Sequence, residues 1–163
     1  MNTIAKKSTI SAPKLVIACV LSLAAGALGT LLAGTDSFKI YNYLEKPPFA
    51  PPMIVFPIVW TLLFLLMGTA SYIIYENHSD ESKKALTLYV FYLVLNILWP
   101  IAFFKKGAFL TGLLLTAGQL LLLCACIMSY YGINKKAALL MVPPAIWTLY
   151  ALYLNIGFLF LNA

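Results

Sequence analysis

Five apolar stretches alternate with short polar segments, and this pattern constrains the fold more than any other feature of the sequence. Each stretch has about 20 to 25 residues, which as a helix matches the apolar thickness of a bilayer. Lipid offers no partners to free backbone groups, so an open sheet is excluded. The sequence therefore predicts an all-α integral membrane protein, a five transmembrane helix bundle. The predicted helices cover residues 15–35, 53–75, 85–104, 108–131 and 137–161.

The chain is expected to form a single membrane domain over residues 15–161, preceded by a polar tail of residues 1–14. With 63% hydrophobic residues and a mean hydropathy of +0.92, it has too little polar surface for a soluble domain. The first apolar stretch also resembles a signal peptide, but it is long for one and no soluble domain follows it. Residues 36–52 form a first loop stiffened by prolines.

The net charge of +6 comes from eleven basic residues, all of them lysines that lie mostly in pairs between the apolar stretches. This placement indicates membrane orientation and contact with anionic lipid, not nucleic-acid binding. The positive-inside rule places the N-terminus in the cytoplasm and the first loop outside. We expect a bacterial cytoplasmic membrane, from the all-lysine charge and the absence of a targeting peptide. The lysines expected inside are Lys6, Lys7, Lys14, Lys83, Lys84, Lys135 and Lys136, and those outside are Lys39, Lys46, Lys105 and Lys106.

Small residues recur every four positions along the first predicted helix, in the series Ser22, Gly26, Thr30, Gly34 and the series Ala25, Gly29, Ala33. Such stripes let a second helix approach closely. They favour packing within the chain, and a homodimer contact is the alternative.

No signature of a metal site or a catalytic centre is present. Cys124 and Cys126 point about 200° apart on a helix, so they cannot hold one metal ion together. His78 is the only histidine and lies in a charged turn. Because the predicted helices contain no acidic residue, neither a carboxylate pair nor a proton relay is expected.

The third predicted helix places aromatic and polar side chains on one face. Tyr89, Tyr92, Asn96, Trp99 and Phe103 follow one another at spacings of three and four. An amide within a membrane must face protein or a cavity. Asn96 therefore either bonds to a neighbouring helix or is the polar contact of an aromatic-walled pocket, and the rings beside it favour the pocket.

Matching aromatic stripes occur on two other helices. Phe56, Trp60 and Phe64 share one stripe of the second helix, and Trp147, Tyr150 and Leu154 share one of the fifth. Both tryptophans lie deeper than interfacial anchors usually do. Pro144 is expected to bend or loosen the fifth helix.

Three separated motifs resemble the translocator protein family, whose members are also called tryptophan-rich sensory proteins or peripheral-type benzodiazepine receptors. The first motif runs from Tyr41 through Leu44-x-Lys46-Pro47 and Pro51-Pro52 to Val59-Trp60. The second is Leu95-Asn96-x-x-Trp99-Pro100 with Phe103-Phe104, and the third is Pro143 with Trp147, Ala151 and Asn155. The resemblance extends from about Ala25 to Phe158.

The resemblance implies a pocket between the helices beneath the first loop. It also implies a flat hydrophobic ligand: a porphyrin such as protoporphyrin IX or heme, a sterol, or a benzodiazepine-type drug. No cofactor is required. The predicted ligand-binding residues are Tyr41, Pro51, Trp60, Phe64, Asn96, Trp99, Phe103, Trp147 and Ala151.

The sequence departs from the family pattern at several positions. Ile40 and Ile97 replace family tryptophans, Phe64 replaces a frequent tyrosine, and Gly112 replaces a frequent aspartate. No basic residue follows Tyr153, so the family's weak sterol-recognition pattern is absent. The predicted role is sensing, sequestering or moving the ligand. A light-dependent porphyrin-degrading enzyme and a small membrane scaffold or regulator are the alternatives.

Overall fold

The computed structural model describes residues 11–162 and consists of seven α-helices joined by short turns, with no strand in that range. The predicted tail of residues 1–14, with Lys6 and Lys7, lies mostly outside the described residues. The helices are α1 (Ala12–Ala33), α2 (Ser37–Tyr43), α3 (Val55–Tyr75), α4 (Asp80–Pro100), α5 (Phe109–Ile133), α6 (Lys135–Leu140) and α7 (Val142–Asn162). A π-helical turn, Ile101–Lys105, continues α4.

The predicted fold class is confirmed, because five helical spans in the described range are long and apolar enough to cross a membrane. They are α1, α3, α4 with its π-helical turn, α5, and α6 together with α7. In the bundle, α1 packs against α3 and α4, α5 packs against α4 and α7, and α6 packs against α3. The contact between α3 and α7 is slight, which leaves room between these two helices.

Local capping explains where the helices begin and end relative to the predicted bounds. Helix α4 begins at Asp80 rather than at residue 85, because Ser79 Oγ accepts a hydrogen bond from the Ser82 amide. Asp80 and Glu81 therefore lie in its first turn, where carboxylates favour the positive end of the helix dipole. The expectation that no helix contains an acidic residue was wrong at this end. Helix α1 ends at Ala33, since Gly34 has a φ of 99°.

The first loop is not wholly irregular, since it contains the short helix α2. Helix α2 presents Tyr41 to the bundle, and the side chain is buried. We call the remaining proline-rich segment, residues 44–52, the lid.

Prolines interrupt two of the membrane helices. Met141 separates α6 from α7, so Pro143 and Pro144 fall in the first turn of α7, where a missing N–H leaves no helical bond unmade. Pro100 cannot donate to the carbonyl of Asn96, and the helix then widens into the π-helical turn, in which the Lys106 amide bonds to the carbonyl of Ile101 at 3.1 Å. Such turns often occur beside functional sites.

The small residues of α1 are used for packing within the chain. Ser22, Ala25, Gly29 and Ala33 are buried. A Cβ at Gly29 would lie 3.1 Å from the carbonyl oxygen of Ile97 in α4. The close approach of α1 to its neighbours therefore depends on these residues. Packing within the chain is the use that the sequence favoured for them.

The half of the bundle away from the lid is densely packed and holds paired hydroxyl groups. Ser22 Oγ lies 2.8 Å from Tyr89 Oη, and Ser71 Oγ lies 3.3 Å from Tyr130 Oη. Both tyrosine side chains are buried. Because lipid supplies no partners, each hydroxyl must find one inside the protein. These pairs join α1 to α4 and α3 to α5.

A methyl group at Gly68 should destabilise the bundle. Its Cβ would lie 2.7 Å from Cys19 Cα, so α1 would have to move away from α3. Overpacking of this kind typically costs about 1 to 3 kcal/mol. We expect Gly68→Ala to lower the thermal unfolding midpoint in detergent. Gly132→Ala, where a Cβ meets no atom within 4 Å, is the matched control and should not lower it. Equal midpoints for both variants would contradict the packing described here.

Candidate functional site

A cavity of about 420 Å³ lies between the long helices at the lid end of the bundle. Helix α2 and the start of α3 cover it, and α1, α4, α5 and α7 complete its walls. The lining is largely apolar. It consists of Leu23, Gly26, Ala27, Thr30, Ser37, Phe38, Tyr41, Met53, Phe56, Pro57, Trp60, Thr61, Phe64, Asn96, Trp99, Pro100, Phe103, Phe104, Thr116, Gln119, Ala151, Leu154, Asn155 and Phe158.

Most of the predicted ligand-binding residues meet at this cavity. Those that line it are Tyr41, Trp60, Phe64, Asn96, Trp99, Phe103 and Ala151. The structure thus brings residues from four separate helices to one place. That they bind a ligand remains a prediction.

Two predicted residues lie outside the lining. Pro51 lies in the lid, and its carbonyl oxygen accepts a hydrogen bond of 2.6 Å from Tyr41 Oη. Trp147 lines a shallow groove between α3 and α7. Phe56, which does line the cavity, contacts Trp147 edge to face with ring centroids 6.1 Å apart. Trp147 therefore supports the cavity wall from behind.

Aromatic rings from α3 and α4 form two walls. Trp99 stacks on Phe103 with centroids 4.8 Å apart and an interplanar angle of 22°. Trp60 packs against Phe64 at 5.6 Å. The three-four spacing on each helix explains why these rings share a face. They provide broad, flat, apolar surfaces.

The amide of Asn155 fixes one of these walls. Trp99 Nε1 donates to Asn155 Oδ1 at 3.0 Å, and Asn155 Nδ2 donates to the carbonyl of Ala151 at 2.8 Å. Asn155 belongs to the third sequence motif but was not among the predicted ligand-binding residues. Because residues four apart share a helical face, its position four residues after Ala151 could have predicted that Asn155 reaches the cavity.

Gly112 leaves space for that hydrogen bond. A Cβ at this position would lie 3.2 Å from Phe103 Cδ2, 3.3 Å from Asn155 Oδ1 and 3.6 Å from Trp99 Nε1. A glycine at position 112, where the family often has an aspartate, therefore fits the local packing, since even a Cβ would crowd these side chains.

Helix α5 contributes polar groups that the sequence analysis missed. Gln119 Nε2 donates to the carbonyl of Leu95 at 3.1 Å, and Thr116 Oγ1 donates to the carbonyl of Gly112 at 2.9 Å. Gly112, Thr116 and Gln119 are spaced four and three, so a helical stripe of small and polar residues was the available signal. The leucine-rich composition of this helix obscured it.

The lid is held down on α7 by side-chain hydrogen bonds to its backbone. Tyr150 Oη donates to the carbonyl of Phe49 at 2.7 Å, and Tyr153 Oη donates to that of Pro48 at 2.8 Å. The amide group of Asn162 bonds to both the N–H and the carbonyl of Glu45, each at 2.9 Å. Because the lid prolines have no N–H, the lid has few backbone donors of its own, and these side chains supply donors to its carbonyls instead.

Phe49 takes a backbone conformation that is costly for any residue other than glycine. Its φ is 62°, and its ring is 89% exposed. Such strain persists only where surrounding contacts enforce it. The two tyrosine bonds, to the carbonyls on either side of the Phe49 Cα, supply that enforcement.

Tyr41 is the one ionisable side chain in the cavity lining of the described chain. Burial raises the pKa of Tyr41 above its ordinary value of 10.0, with a further contribution from Tyr150. Lys46 Nζ lies 5.2 Å from the centre of the Tyr41 ring. At neutral pH the lining is therefore uncharged, which suits binding of apolar molecules better than acid–base chemistry.

These features define a class: a five-helix integral membrane protein with an aromatic-walled cavity beneath its first loop. The TspO/MBR family model matches residues 17–161, and the chain belongs to the TspO/MBR family. It is 33% identical over 144 residues to the tryptophan-rich protein TspO of Chlorobaculum tepidum, covering 87% of this chain and 91% of the relative.

Two further relatives span bacteria and mammals. The chain is 32% identical over 139 residues to the tryptophan-rich sensory protein of Cereibacter sphaeroides, covering 85% of this chain and 87% of that protein. It is 35% identical over 136 residues to the translocator protein of Bos taurus, covering 80% and 79%. The resemblance noted in the sequence is thus confirmed.

Removing both lid hydroxyls of α7 should loosen the lid. We expect Tyr150→Phe/Tyr153→Phe to accelerate amide hydrogen exchange in residues 44–52 by about thirtyfold, since the two lost bonds contribute about 1 kcal/mol each. Exchange is read by mass spectrometry in detergent. Tyr131→Phe, at an exposed tyrosine of α5, is the control. Unchanged exchange in the double variant would show that other contacts hold the lid.

The contribution of Tyr41 to stability should depend on pH. Because its pKa is raised in the folded protein, the stabilisation is fully present below pH 10 and is lost as the pH rises through the folded-state pKa. Deprotonation also removes the donor to Pro51. We expect the difference in thermal midpoint between the parent protein and Tyr41→Phe to shrink above about pH 10. A difference that stays constant up to pH 12 would refute this role.

Proposed function

We propose that this protein binds porphyrin-like or other flat hydrophobic ligands in the cavity beneath the first loop, for sensing, sequestration or transport. The observation that carries the proposal is the pair of aromatic walls, built on Trp60 and Trp99, that line one cavity. A planar apolar ligand gains both apolar burial and ring stacking from such walls.

The size and opening of the cavity support a flat ligand. Its volume of about 420 Å³ falls within the range of roughly 300 to 1,000 Å³ typical of small-molecule sites. Exposed residues of α1 and α3 form part of its edge, including Thr30, Pro57 and Thr61. A macrocycle larger than the enclosed space would extend through this side opening, between the two helices.

The packing of the opposite half favours holding a ligand over passing it through. Met67, Ile74, Tyr92, Leu123 and Tyr130 are fully buried there. A molecule crossing the bundle would have to separate these side chains and the hydroxyl pairs among them. Sensing or sequestration therefore needs less rearrangement than transport does.

We further propose an orientation, a membrane and additional ligands for this protein. The lysine distribution supports a cytoplasmic N-terminus and a bacterial cytoplasmic membrane. The names of the relatives, translocator protein and tryptophan-rich sensory protein, support movement or sensing of a ligand. Sterols and benzodiazepine-type drugs are further ligand candidates for an apolar cavity of this kind, and a homodimer is a further expectation.

The proposal is tested by titrating the purified protein in detergent with protoporphyrin IX, following the porphyrin absorbance and the tryptophan fluorescence. We expect saturable binding that weakens about tenfold in Trp99→Ala, because stacking and wall area are lost. Phe91→Ala, which removes an exposed ring from the same helix, is the matched control. Binding in the control should equal that of the parent protein.

The other outcomes separate the alternatives. A linear, unsaturable signal that ignores Trp99→Ala would mean nonspecific partitioning, and a scaffold or regulatory role would then take first place. If binding is saturable, illumination of the complex tests the enzyme alternative. Loss of the porphyrin absorbance with a defined product supports a degrading activity, whereas an unchanged spectrum supports binding alone.

A further inference from the structure

The hydroxyl donors of the cavity lining are all engaged by backbone carbonyls. Each hydroxyl gives its hydrogen to a nearby carbonyl oxygen, so only its oxygen lone pairs are left for a further partner. The donors and acceptors are Thr30 to Gly26, Ser37 to Gly34, Tyr41 to Pro51, Thr61 to Pro57 and Thr116 to Gly112.

The indole donor of Trp99 is engaged as well, and it fixes the orientation of Asn155. An indole N–H only donates and a carbonyl only accepts, so Asn155 must turn its oxygen to Trp99 and its nitrogen to Ala151. The same reasoning fixes Gln119, whose Nε2 donates to the carbonyl of Leu95. Oε1 is therefore the atom of the Gln119 amide that is left without a partner in the described part of the chain.

Two amide oxygens remain without a partner among the described residues. Oε1 of Gln119 and Oδ1 of Asn96 accept no hydrogen bond, while Asn96 Nδ2 donates to Tyr92 Oη at 3.4 Å. Fully buried side-chain N and O atoms without a partner, within residues 11–162, are Trp147 Nε1 and Thr148 Oγ1. The two amide oxygens are not among them, so they keep open surface although Gln119 is only 3% exposed. That surface faces the cavity that both residues line.

No cation lies in the lining of the described chain to balance a negative charge. Lys46 lies over the ring of Tyr41, but it donates to the carbonyl of Asn42 and is not part of the lining. A carboxylate at the deep end would meet oxygen lone pairs instead of a positive charge, which is unfavourable in an apolar site.

We propose that the deep end of the cavity selects ligands that present an uncharged N–H or O–H donor to Gln119 Oε1 and Asn96 Oδ1. Gln119 is thereby the residue that determines specificity. This rests on the proposed function, because it assigns the chemistry of the buried end of a flat ligand. Leaving the two oxygens unpaired beside a ligand without a donor would cost binding energy, so the selection is built into the lining.

A matched pair of tricyclic probes tests the proposal. Carbazole and fluorene have the same flat shape, but carbazole carries a ring N–H where fluorene carries a methylene group. We expect the parent protein in detergent to bind carbazole about three- to tenfold more tightly than fluorene, as one net hydrogen bond allows. Gln119→Leu, which keeps the volume and removes the acceptor, should bring this ratio close to one. Thr87→Val, on an exposed position of α4, is the control and should keep the parent ratio.

Comparing the two probes within each protein cancels differences in overall stability and in partitioning into detergent between variants. A ratio near one in the parent protein, with both probes displaced by protoporphyrin IX, would overturn this inference and leave the proposed function standing. An unchanged ratio in Gln119→Leu would overturn the role of Gln119. If neither probe nor porphyrin binds saturably, the proposed function itself fails. Should Gln119→Leu not fold, the ratio in the parent protein still decides the donor preference.

Discussion

The hydrocarbon core of a membrane offers no hydrogen-bond partners, and the rest of the structure depends on this constraint. Ser22 and Ser71 pair with tyrosine hydroxyls, and Asn155 is bound on both sides. These contacts tie α1 to α4, α3 to α5 and α4 to α7. The helices are thus positioned by a few polar contacts and by the close approach that glycine permits.

The bundle is divided into two unlike halves. Away from the lid, small residues of α1 let it approach α3 and α4, and the interior is filled. At the lid end, Pro100 and the π-helical turn interrupt α4, and large rings hold the helices apart around a cavity. Helix α2 and the start of α3 cover it, and the lid that connects them is fastened by Tyr150, Tyr153 and Asn162.

Oxygen-rich polarity distinguishes this cavity from a purely apolar one. Because backbone carbonyls engage the hydroxyl donors, the side chains that enter the cavity present mainly lone pairs. The membrane constraint that organises the bundle would thereby also shape the ligand preference proposed above, because a donor already bonded to a backbone carbonyl is unavailable to a ligand.

The sequence by itself determined the five spans, because hydrophobic length is a local property, and the helical faces that carry Trp60, Asn96 and Trp99, because helical spacing is local too. Only the tertiary structure decided that Trp147 stands behind Phe56 while Gln119 and Asn155 reach the cavity. Which face of one helix meets which face of another depends on contacts between residues distant in the chain. The lid shows the same limit, since its prolines were evident in the sequence but the tyrosines that fasten it lie about a hundred residues away.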